Sequence, residues 1–286
     1  MPAGVLDGVA PAYVAAPDSV QAAAGVLRTA ADHGLAVLPR GGGTKLHWGV
    51  PPRRADLVVD TRRLDRVLEY AAGDLVVRAL AGTPLAAVAE RAAGARQQLA
   101  LDPPVPGGTL GGTVATGLAG PRRLRYGAPR DLLIGVTVVR ADGVVARSGG
   151  KVVKNVAGYD LGKLYTGSYG TLGLLVETIF RLHPAPEAQR FVVTTCADET
   201  EAHRRVQAVL GAQVVPAAVE VAADLTGGPV TLAVLLEGVA RGVEARVAAT
   251  RALLGASAED QDAAPPGWGE LPAPPGGVLL RCAAEV

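Results

Sequence analysis

The chain has 286 residues, is 49% hydrophobic and carries 28 Lys and Arg residues against 27 Asp and Glu residues. This length supplies enough core for one large domain or two small ones, and the near-neutral charge argues against a nucleic-acid-binding protein, which usually has a basic excess. Residues 1–17 lack the regions of a secretory signal, and no apolar stretch approaches the roughly 20 residues of a membrane span. The Cys and His residues fall in no metal-binding spacing, so no metal site is predicted.

The first predicted element is a helix over residues 19–33. Asp18 and Ser19 offer side-chain oxygens for its N-cap, and apolar residues recur along it at helical spacing. Gly34 suits its C-terminal end because glycine adopts the left-handed conformation at no steric cost.

A second helix is predicted to open at Thr83-Pro84, an N-cap followed by a first-turn proline, and to reach about Ala93. Two hairpins are predicted to turn at 73–74 and 142–143. The strands expected in this part of the chain are 35–38, 56–60, 66–71, 75–80, 132–139 and 144–147. Because helix and hairpin signals are mixed rather than strictly alternating, the predicted fold class is α+β and not a doubly wound parallel sheet.

The composition changes after the Pro-rich segment 184–186, which predicts a boundary between a domain at 1–185 and a smaller domain at 186–286. The second domain has the element order β-α-β-β-α-β, which is typical of a ferredoxin-like fold. Its predicted strands are 190–196, 214–221, 229–237 and 278–283, and its predicted helices are 198–210 and 241–254. Residues 258–277 are predicted to form a mobile surface loop.

A glycine run directly after a buried strand is the first candidate binding motif. Its letters are PRGGGTK, and its residues are Pro39, Arg40, Gly41, Gly42, Gly43, Thr44 and Lys45. Successive glycines let backbone N–H groups turn toward one point, while the basic and hydroxyl side chains can add donors for a phosphate. The Walker A spacing is absent, and a flexible turn is the plain alternative.

A second glycine-rich motif covers residues 106–117, with the letters PGGTLGGTVATG. Small residues would let its backbone lie against a flat or extended ligand, with Thr109, Thr113 and Thr116 available for hydrogen bonds. A dinucleotide-binding βαβ motif is not supported, because the glycine spacing differs and no strand leads directly into it.

The third motif joins residues 149–161 to residues 167–173, with the letters GGKVVKNVAGYDL and GSYGTLG. It brings together lysines, the single Asn of the chain and tyrosines, which are costly to bury unless they pair with each other or with a polar ligand. The alternative is an exposed loop with a solvated charge pair.

In their order and spacing, these motifs and the intervening GPRRLRYGAPRDLLIGVTVVRADG resemble the FAD-binding domain of the vanillyl-alcohol oxidase / p-cresol methylhydroxylase (PCMH) superfamily. The phrases LAGPRR, KNVAGYDL and GSYGTLG are similar to the smaller FAD-binding subunits of bacterial glycolate oxidases. The resemblance covers about 17–184 strongly and implies a two-subdomain PCMH-type FAD-binding domain, followed by the ferredoxin-like cap domain.

The resemblance also implies which residues contact FAD. The segment 40–44 would hold the pyrophosphate, 106–112 and 116–117 would line the ribityl chain and flavin ring, and 167–173 would pack against the cofactor. An adenine contact would fall on the following strand, near Glu177 and Ile179. Besides the glycine run, the expected cofactor-binding residues are Pro106, Gly107, Gly108, Thr109, Gly111, Gly112, Thr116, Gly117, Tyr126, Gly127, Asp131, Lys154, Asn155, Gly173 and Ile179.

Flavin attachment in related enzymes often uses a His just after the glycine run, where this chain has Thr44, so the FAD is expected to be non-covalent. No catalytic residue is assigned. Candidates for a cation beside the flavin, or for binding a substrate carboxylate, are Arg122, Arg123, Lys151 and Lys154, although surface or phosphate contacts explain each equally well. His183 is a weak candidate for the base because a lone His is more often structural.

Two features that the resemblance leads one to expect do not occur in the sequence. They are a metal motif of the form HxGDGNxH and a closing segment with NPG, since the given chain ends at Val286, close to the last predicted strand. We therefore expect the FAD-binding subunit of a glycolate oxidase complex, partnered by a larger FAD-binding subunit and an iron–sulfur subunit and acting on a small 2-hydroxy acid. The expected location is the cytoplasm, with any membrane association made through partner subunits. The alternatives are a self-sufficient FAD-dependent D-2-hydroxyacid dehydrogenase and an assembly subunit without active cofactor.

Overall fold

The computed structural model describes residues 9–151, 159–224 and 227–271. The chain divides into two compact units. The first consists of the chain up to Leu101 with Pro106–Leu118 and Gly127–Ala185, and the second consists of Asp102–Val105, Ala119–Tyr126 and the chain from Pro186 onward.

The first unit mixes a parallel and an antiparallel sheet. Its strands are β1 (Tyr13–Ala15), β2 (Val37–Arg40), β3 (Leu57–Asp60), β4 (Val67–Ala71), β5 (Val76–Leu80), β6 (Gln97–Gln98), β7 (Leu133–Val139), β8 (Val145–Gly149), β9 (Leu174–Arg181) and β10 (His183–Pro184). Strands β1-β3-β2 form a parallel sheet, β4-β5-β9-β7-β8 form an antiparallel sheet, and β6 pairs with β10. The α+β fold class is confirmed.

Helices of the first unit cover these sheets and connect them. They are α1 (Val20–Asp32), α2 (Leu85–Ala93), α3 (Leu110–Thr116), α5 (Pro129–Leu132) and α6 (Leu161–Tyr165), while the short α4 (Arg123–Tyr126) belongs to the second unit. The helix predicted over 19–33 is confirmed: the Ser19 hydroxyl accepts the Ala22 N–H at 3.1 Å, and Gly34 has φ 61°. Its apolar face packs on β3, β5 and β9 in one hydrophobic core.

Both predicted hairpins are present, since β4 pairs with β5 and β7 pairs with β8 in antiparallel register. The predicted start of the second helix is wrong by one residue. Pro84, with φ −61° and ψ 140°, is the N-cap of α2, and Thr83 lies outside the helix. The reason is that the Thr83 carbonyl accepts the Leu110 N–H at 2.9 Å and is therefore not available to begin α2.

Besides α4, the described part of the second unit has a four-stranded antiparallel sheet and two longer helices. Its remaining elements are β11 (Ala188–Cys196), α7 (Glu199–Gly211), β12 (Ala218–Ala222), β13 (Val230–Gly238), α8 (Ala240–Leu254) and β14 (Glu259–Gln261). The strand order β12-β13-β11-β14 is the ferredoxin-like arrangement. One face of β11 and β13 packs with α7 and α8 around a core that includes Leu232, Leu236 and Leu254.

Two predictions for this unit are corrected. Strand β12 begins at Ala218 rather than at residue 214, because Val215 has φ 46° and turns the chain away from extended conformation. The fourth strand is Glu259–Gln261, inside the segment predicted to be a mobile loop, whereas residues 278–283 lie outside the described part of the chain. Strand β14 was missed because its acidic residues have low β propensity, and ion pairs from Arg190 and Arg251 to Asp260 hold it in place.

Candidate functional site

A groove in the first unit holds about 730 Å³ of space, part of it open to solvent. Its walls are formed by the chain that follows β2, by the residues around the start of α3, and by the segment that leads into β9. The lining residues are Pro39, Arg40, Gly41, Gly42, Gly43, Thr44, Lys45, Leu46, Thr61, Gly108, Thr109, Gly111, Gly112, Ala115, Thr116, Tyr169, Gly170, Gly173, Leu174 and Leu175. Two glycine motifs that are far apart in sequence therefore meet at one site.

The two glycine runs touch each other through their backbones. A Cβ atom placed on Gly42 would lie 2.3 Å from the carbonyl oxygen of Gly107, and one on Gly41 would lie 2.5 Å from the Thr109 hydroxyl. The contact at Gly42 is with a backbone oxygen and leaves no room for a side chain, whereas a side chain at Gly41 would require the Thr109 hydroxyl to move. The result is a wall of exposed peptide groups rather than side chains, which a bound ligand can approach closely.

Helix α3 fixes the second glycine run in place. The Thr109 hydroxyl caps the helix by accepting the Gly112 N–H at 3.2 Å, and the Gly111 N–H donates to the Ala81 carbonyl at 2.7 Å. Leu110 and Val114 are fully buried beneath it. The second motif was expected to lie with its backbone against a flat or extended ligand, and these caps and buried residues make residues Leu110–Thr116 of it a short helix.

Arg40 is held on the groove wall by a buried carboxylate. Its guanidinium Nη2 donates to Asp60 Oδ2 at 2.8 Å, and Arg62 donates to the same oxygen at 2.6 Å. Burial by itself would raise the pKa of Asp60, but the hydrogen bonds from Arg62 and Arg40 outweigh it and lower that pKa to about 2. Asp60 is therefore ionised at neutral pH, and it orients Arg40 while the guanidinium Nε remains without a hydrogen-bond partner among the described residues.

Lys45 gives the groove a second cation. Its side chain is buried, its Nζ donates to the Thr44 hydroxyl at 2.9 Å, and no carboxylate in the described part of the chain pairs with it. Desolvation by this burial lowers the pKa of the Lys45 ammonium. A buried ammonium without an acidic partner is costly, and an anion bound in the groove would supply the missing charge.

The groove gathers the first predicted motif completely and the second in part. Of the expected cofactor residues, those that line it are the seven from Pro39 to Lys45 together with Gly108, Thr109, Gly111, Gly112, Thr116 and Gly173. Gly107 lies directly behind the wall against Gly42, and Gly117 ends α3 with φ 61°. Pro106 does not line the groove, and Lys154 and Asn155 lie outside the described residues.

The other expected residues are not among those that line the groove. Gly127 packs against Asp131, whose carboxylate accepts the Ala128 N–H at 2.8 Å, and Ile179 packs against Gly135 within the antiparallel sheet. Through these contacts, Gly127, Asp131 and Ile179 contribute to the fold of the first unit.

Tyr126 belongs to the second unit, where its hydroxyl donates to Glu237 Oε2 at 2.8 Å. Glu237 is buried and also pairs with Arg122 at 2.9 Å. Of the cations considered for a substrate carboxylate, Arg122 is therefore already bound to a carboxylate of its own unit, and Lys151 pairs with Glu69.

Several lining residues were not named individually as expected cofactor contacts. They are Leu46, Thr61, Ala115, Tyr169, Gly170, Leu174 and Leu175. Most are apolar or small and carry no signal that distinguishes a groove wall from a core. Tyr169 and Gly170 lie within the GSYGTLG motif, which was expected to pack against a cofactor as a segment without its aromatic residue being singled out.

Two features are absent from the described residues. Within 9–151, 159–224 and 227–271, no group of three or more His, Cys, Asp or Glu residues could hold a metal ion. No helix of the described chain is both long enough and apolar enough to cross a bilayer.

Comparison with known proteins finds a family match that includes both glycine runs of the groove. Residues 11–149 match a family described as an FAD binding domain. The chain is 32% identical over 214 residues to "Glycolate oxidase subunit GlcD" of Bacillus subtilis, an alignment that covers 73% of this chain and 45% of that protein. It is 41% identical over 151 residues to "Glycolate oxidase subunit GlcE" of Escherichia coli, covering 52% of this chain and 43% of that protein. The chain thus spans less than half of the length of either relative.

The fold is shared with a solved structure of an alkyldihydroxyacetonephosphate synthase. The TM-score is 0.73 with 18% sequence identity, and the match covers 89% of this chain and 53% of that one. At this level of identity the likeness extends to the fold alone.

Proposed function

Because the chain belongs to the FAD-dependent oxidoreductases that share this FAD binding domain, we propose that it is the FAD-binding subunit of a glycolate oxidase complex. The proposed reaction is the oxidation of glycolate, a small 2-hydroxy acid, to glyoxylate. The proposed partners are a larger FAD-binding subunit and an iron–sulfur subunit, to which the electrons pass. The observation that carries the proposal is the similarity of the chain to two proteins that are both named as glycolate oxidase subunits.

The residues in the groove fit an FAD molecule. Arg40 and Lys45 are positive side chains with unused donor capacity, and they stand beside peptide groups of the glycine runs. Beneath Gly108 lies the Thr113 hydroxyl, which is fully buried and has no hydrogen-bond partner among the described residues. Cations, free donors and closely approachable backbone are what a pyrophosphate with an extended ribityl chain requires.

When bound, FAD supplies a hydride acceptor for the oxidation of the hydroxy acid. The part of this chain is to bind and orient the cofactor: Arg40 and Lys45 would hold the pyrophosphate, and Asp60 keeps the Arg40 guanidinium in place. We propose that the binding is non-covalent, since Thr44 follows the glycine run and a hydroxyl is a poor nucleophile toward the flavin. Acid precipitation should then release all flavin into the supernatant, and flavin that remains with the pellet would contradict this.

The proposed function is tested by following flavin absorbance in the purified chain. We expect a yellow protein whose flavin is not reduced by glycolate alone but is reduced when the two partner subunits are added. Reduction of the isolated chain by glycolate or D-lactate would instead establish a self-sufficient 2-hydroxyacid dehydrogenase. A colourless chain that takes up no added FAD would point to an assembly subunit.

Replacing Lys45 with methionine should weaken FAD binding without weakening the fold. The substitution removes a charge-assisted contact, so the Kd for FAD should rise about tenfold or more. It also removes a buried charge that has no carboxylate partner in the described chain, so the Tm of the apoprotein should stay equal or rise. The control is Lys163→Met, an exposed lysine paired with Asp160 away from the groove, which should leave the Kd unchanged. An unaltered Kd in Lys45→Met would show that Lys45 does not contact the cofactor.

A further inference from the structure

Tyr169 places an aromatic ring on the groove wall. Aromatic residues make up only 3% of the chain, yet this one lines the groove that Gly42 and Lys45 also line. Its side chain is large and apolar, and 50% of the residue is exposed. The phenol hydroxyl has no hydrogen-bond partner within the described parts of the chain. The presence of a tyrosine at this position is therefore explained neither by burial in a core nor by a polar contact within the fold.

The backbone of Tyr169 adopts a conformation that tyrosine disfavours. Its φ is 53°, in the left-handed region, where the Cβ atom crowds the neighbouring peptide groups. The nearby glycines Gly167 and Gly170 have φ values of 81° and 76°, as expected for residues without a Cβ. A glycine or asparagine at position 169 would relieve the strain, so the tyrosine is retained at some cost to the fold.

Helix α3 holds Tyr169 in this conformation. The Tyr169 N–H donates to the Ala115 carbonyl at 2.8 Å, and the Gly167 N–H donates to the Val114 carbonyl at 3.0 Å. These carbonyls belong to the last turn of the helix, where the Val114 carbonyl also accepts the N–H of the C-cap residue Gly117 at 3.0 Å. The segment thus caps the C-terminal end of the same helix whose N-terminal end carries the second glycine run.

On the other side, Gly170 lies against the groove wall itself. A Cβ atom on Gly170 would be 3.0 Å from Pro39, which precedes the first glycine run. The segment that carries Tyr169 is therefore held between α3 and β2. A strained residue that the surrounding structure fixes in this way is more often found at a binding site than elsewhere.

We propose that Tyr169 is a cofactor-binding residue whose ring stacks on one of the two flat rings of the bound dinucleotide. Aromatic side chains stack on nucleobases and similar rings through their faces, and this contact does not require the phenol hydroxyl. The inference rests on FAD binding in this groove, and not on which hydroxy acid is oxidised or which subunits assemble with the chain.

The test compares Tyr169→Gly with Tyr169→Phe in the full chain. In Tyr169→Gly the ring is lost and the strain is relieved, so the Kd for FAD should rise about tenfold while the Tm of the apoprotein stays equal or rises. In Tyr169→Phe the ring is kept, so the Kd should stay within about twofold of the parent. A fluorescence titration of FAD gives the Kd, and a thermal melt of the apoprotein gives the Tm. A second variant, Tyr169→Asn, also tolerates the left-handed conformation and should match the glycine variant.

The matched control is Arg96→Gly. Arg96 is exposed, has φ 53° and lies in the same unit, but it does not line the groove. Its replacement should relieve backbone strain in the same way and leave the Kd for FAD unchanged. Titrations with ADP and with FMN identify the stacked ring: weaker binding of ADP by Tyr169→Gly assigns the contact to adenine, and weaker binding of FMN assigns it to the flavin.

The proposal is overturned if Tyr169→Gly binds FAD as tightly as the parent, or if Tyr169→Phe weakens binding as much as Tyr169→Gly does. A failure of the proposed function would give a different result. The parent chain would bind FAD, but glycolate would not reduce its flavin even with the partner subunits present. The role of Tyr169 in binding FAD would be unaffected by that result.

Discussion

Replacing Gly42 with alanine should abolish FAD retention while leaving the chain folded. The added Cβ would stand 2.3 Å from the Gly107 carbonyl oxygen and 3.7 Å from the Gly108 Cα. Both neighbours are backbone atoms, so no side chain can rotate out of the way, and one glycine run must move away from the other. Overpacking of this kind costs about 1–3 kcal/mol, which a chain of this length can tolerate. The displaced glycine run forms the groove wall whose peptide groups face the cofactor. The substitution should therefore reduce FAD affinity more than it reduces stability.

The matched control for Gly42→Ala is Gly25→Ala. Gly25 lies in the middle of α1, and a Cβ there meets nothing within 4 Å. Because alanine is the better helix former by about 1 kcal/mol, this variant should be slightly more stable and should keep its flavin. The measurement is the ratio of flavin to protein absorbance after gel filtration, with far-UV circular dichroism as the check on folding. A Gly42→Ala protein that retains the parental flavin ratio would refute the assignment of this wall.

Local signals made much of the fold predictable. Helix α1 was found because Ser19, Gly34 and the spacing of apolar residues all act within one stretch of chain. Both hairpins were also found because the turn residues and the two strands of each hairpin lie within one stretch of chain. By contrast, β14 is held by ion pairs from residues distant in sequence, and the start of β12 depends on the left-handed conformation of Val215. Sequence patterns report on neighbours along the chain, and these two features depend on neighbours in space.

In the candidate site, too, features that depend on neighbours along the chain were predictable, and features that depend on neighbours in space were not. The first glycine run could be singled out from the sequence because its three glycines are consecutive, and the structure places it on the groove wall. Nothing in the sequence indicated that Gly42 would touch Gly107, or that Asp60 would hold Arg40, since each contact joins residues on different elements. The expected placement of Tyr126 came from the resemblance alone, and the structure describes its hydroxyl as a donor to Glu237 in the second unit.

Replacing Asp60 with asparagine should destabilise the chain by about 2–3 kcal/mol at pH 7. The Asp60 carboxylate is buried and accepts hydrogen bonds from Arg40, Arg62 and the Arg62 backbone N–H. Asparagine keeps the size of the side chain but leaves the half-buried Arg40 guanidinium without its opposite charge, and breaking a buried pair from one side is strongly destabilising. The control is Asp18→Asn, which removes the carboxylate from an exposed pair with Arg63 and should change stability little.

The loss of folding stability in Asp60→Asn should become smaller at low pH. The pKa of Asp60 is about 2 in the folded chain against 3.8 as the reference value, so its contribution is fully present above about pH 4. As the pH falls from about 4 to about 2, the Asp60 carboxylate takes up a proton and its contribution to stability is lost. The difference between its pKa in the folded chain and the reference pKa corresponds to roughly 2 kcal/mol of stability. The stability gap between the parent and Asp60→Asn, measured by urea unfolding, should therefore narrow by about that amount over this window. A gap that stays constant down to pH 2 would mean that the ionised Asp60 is not what holds Arg40 on the groove wall.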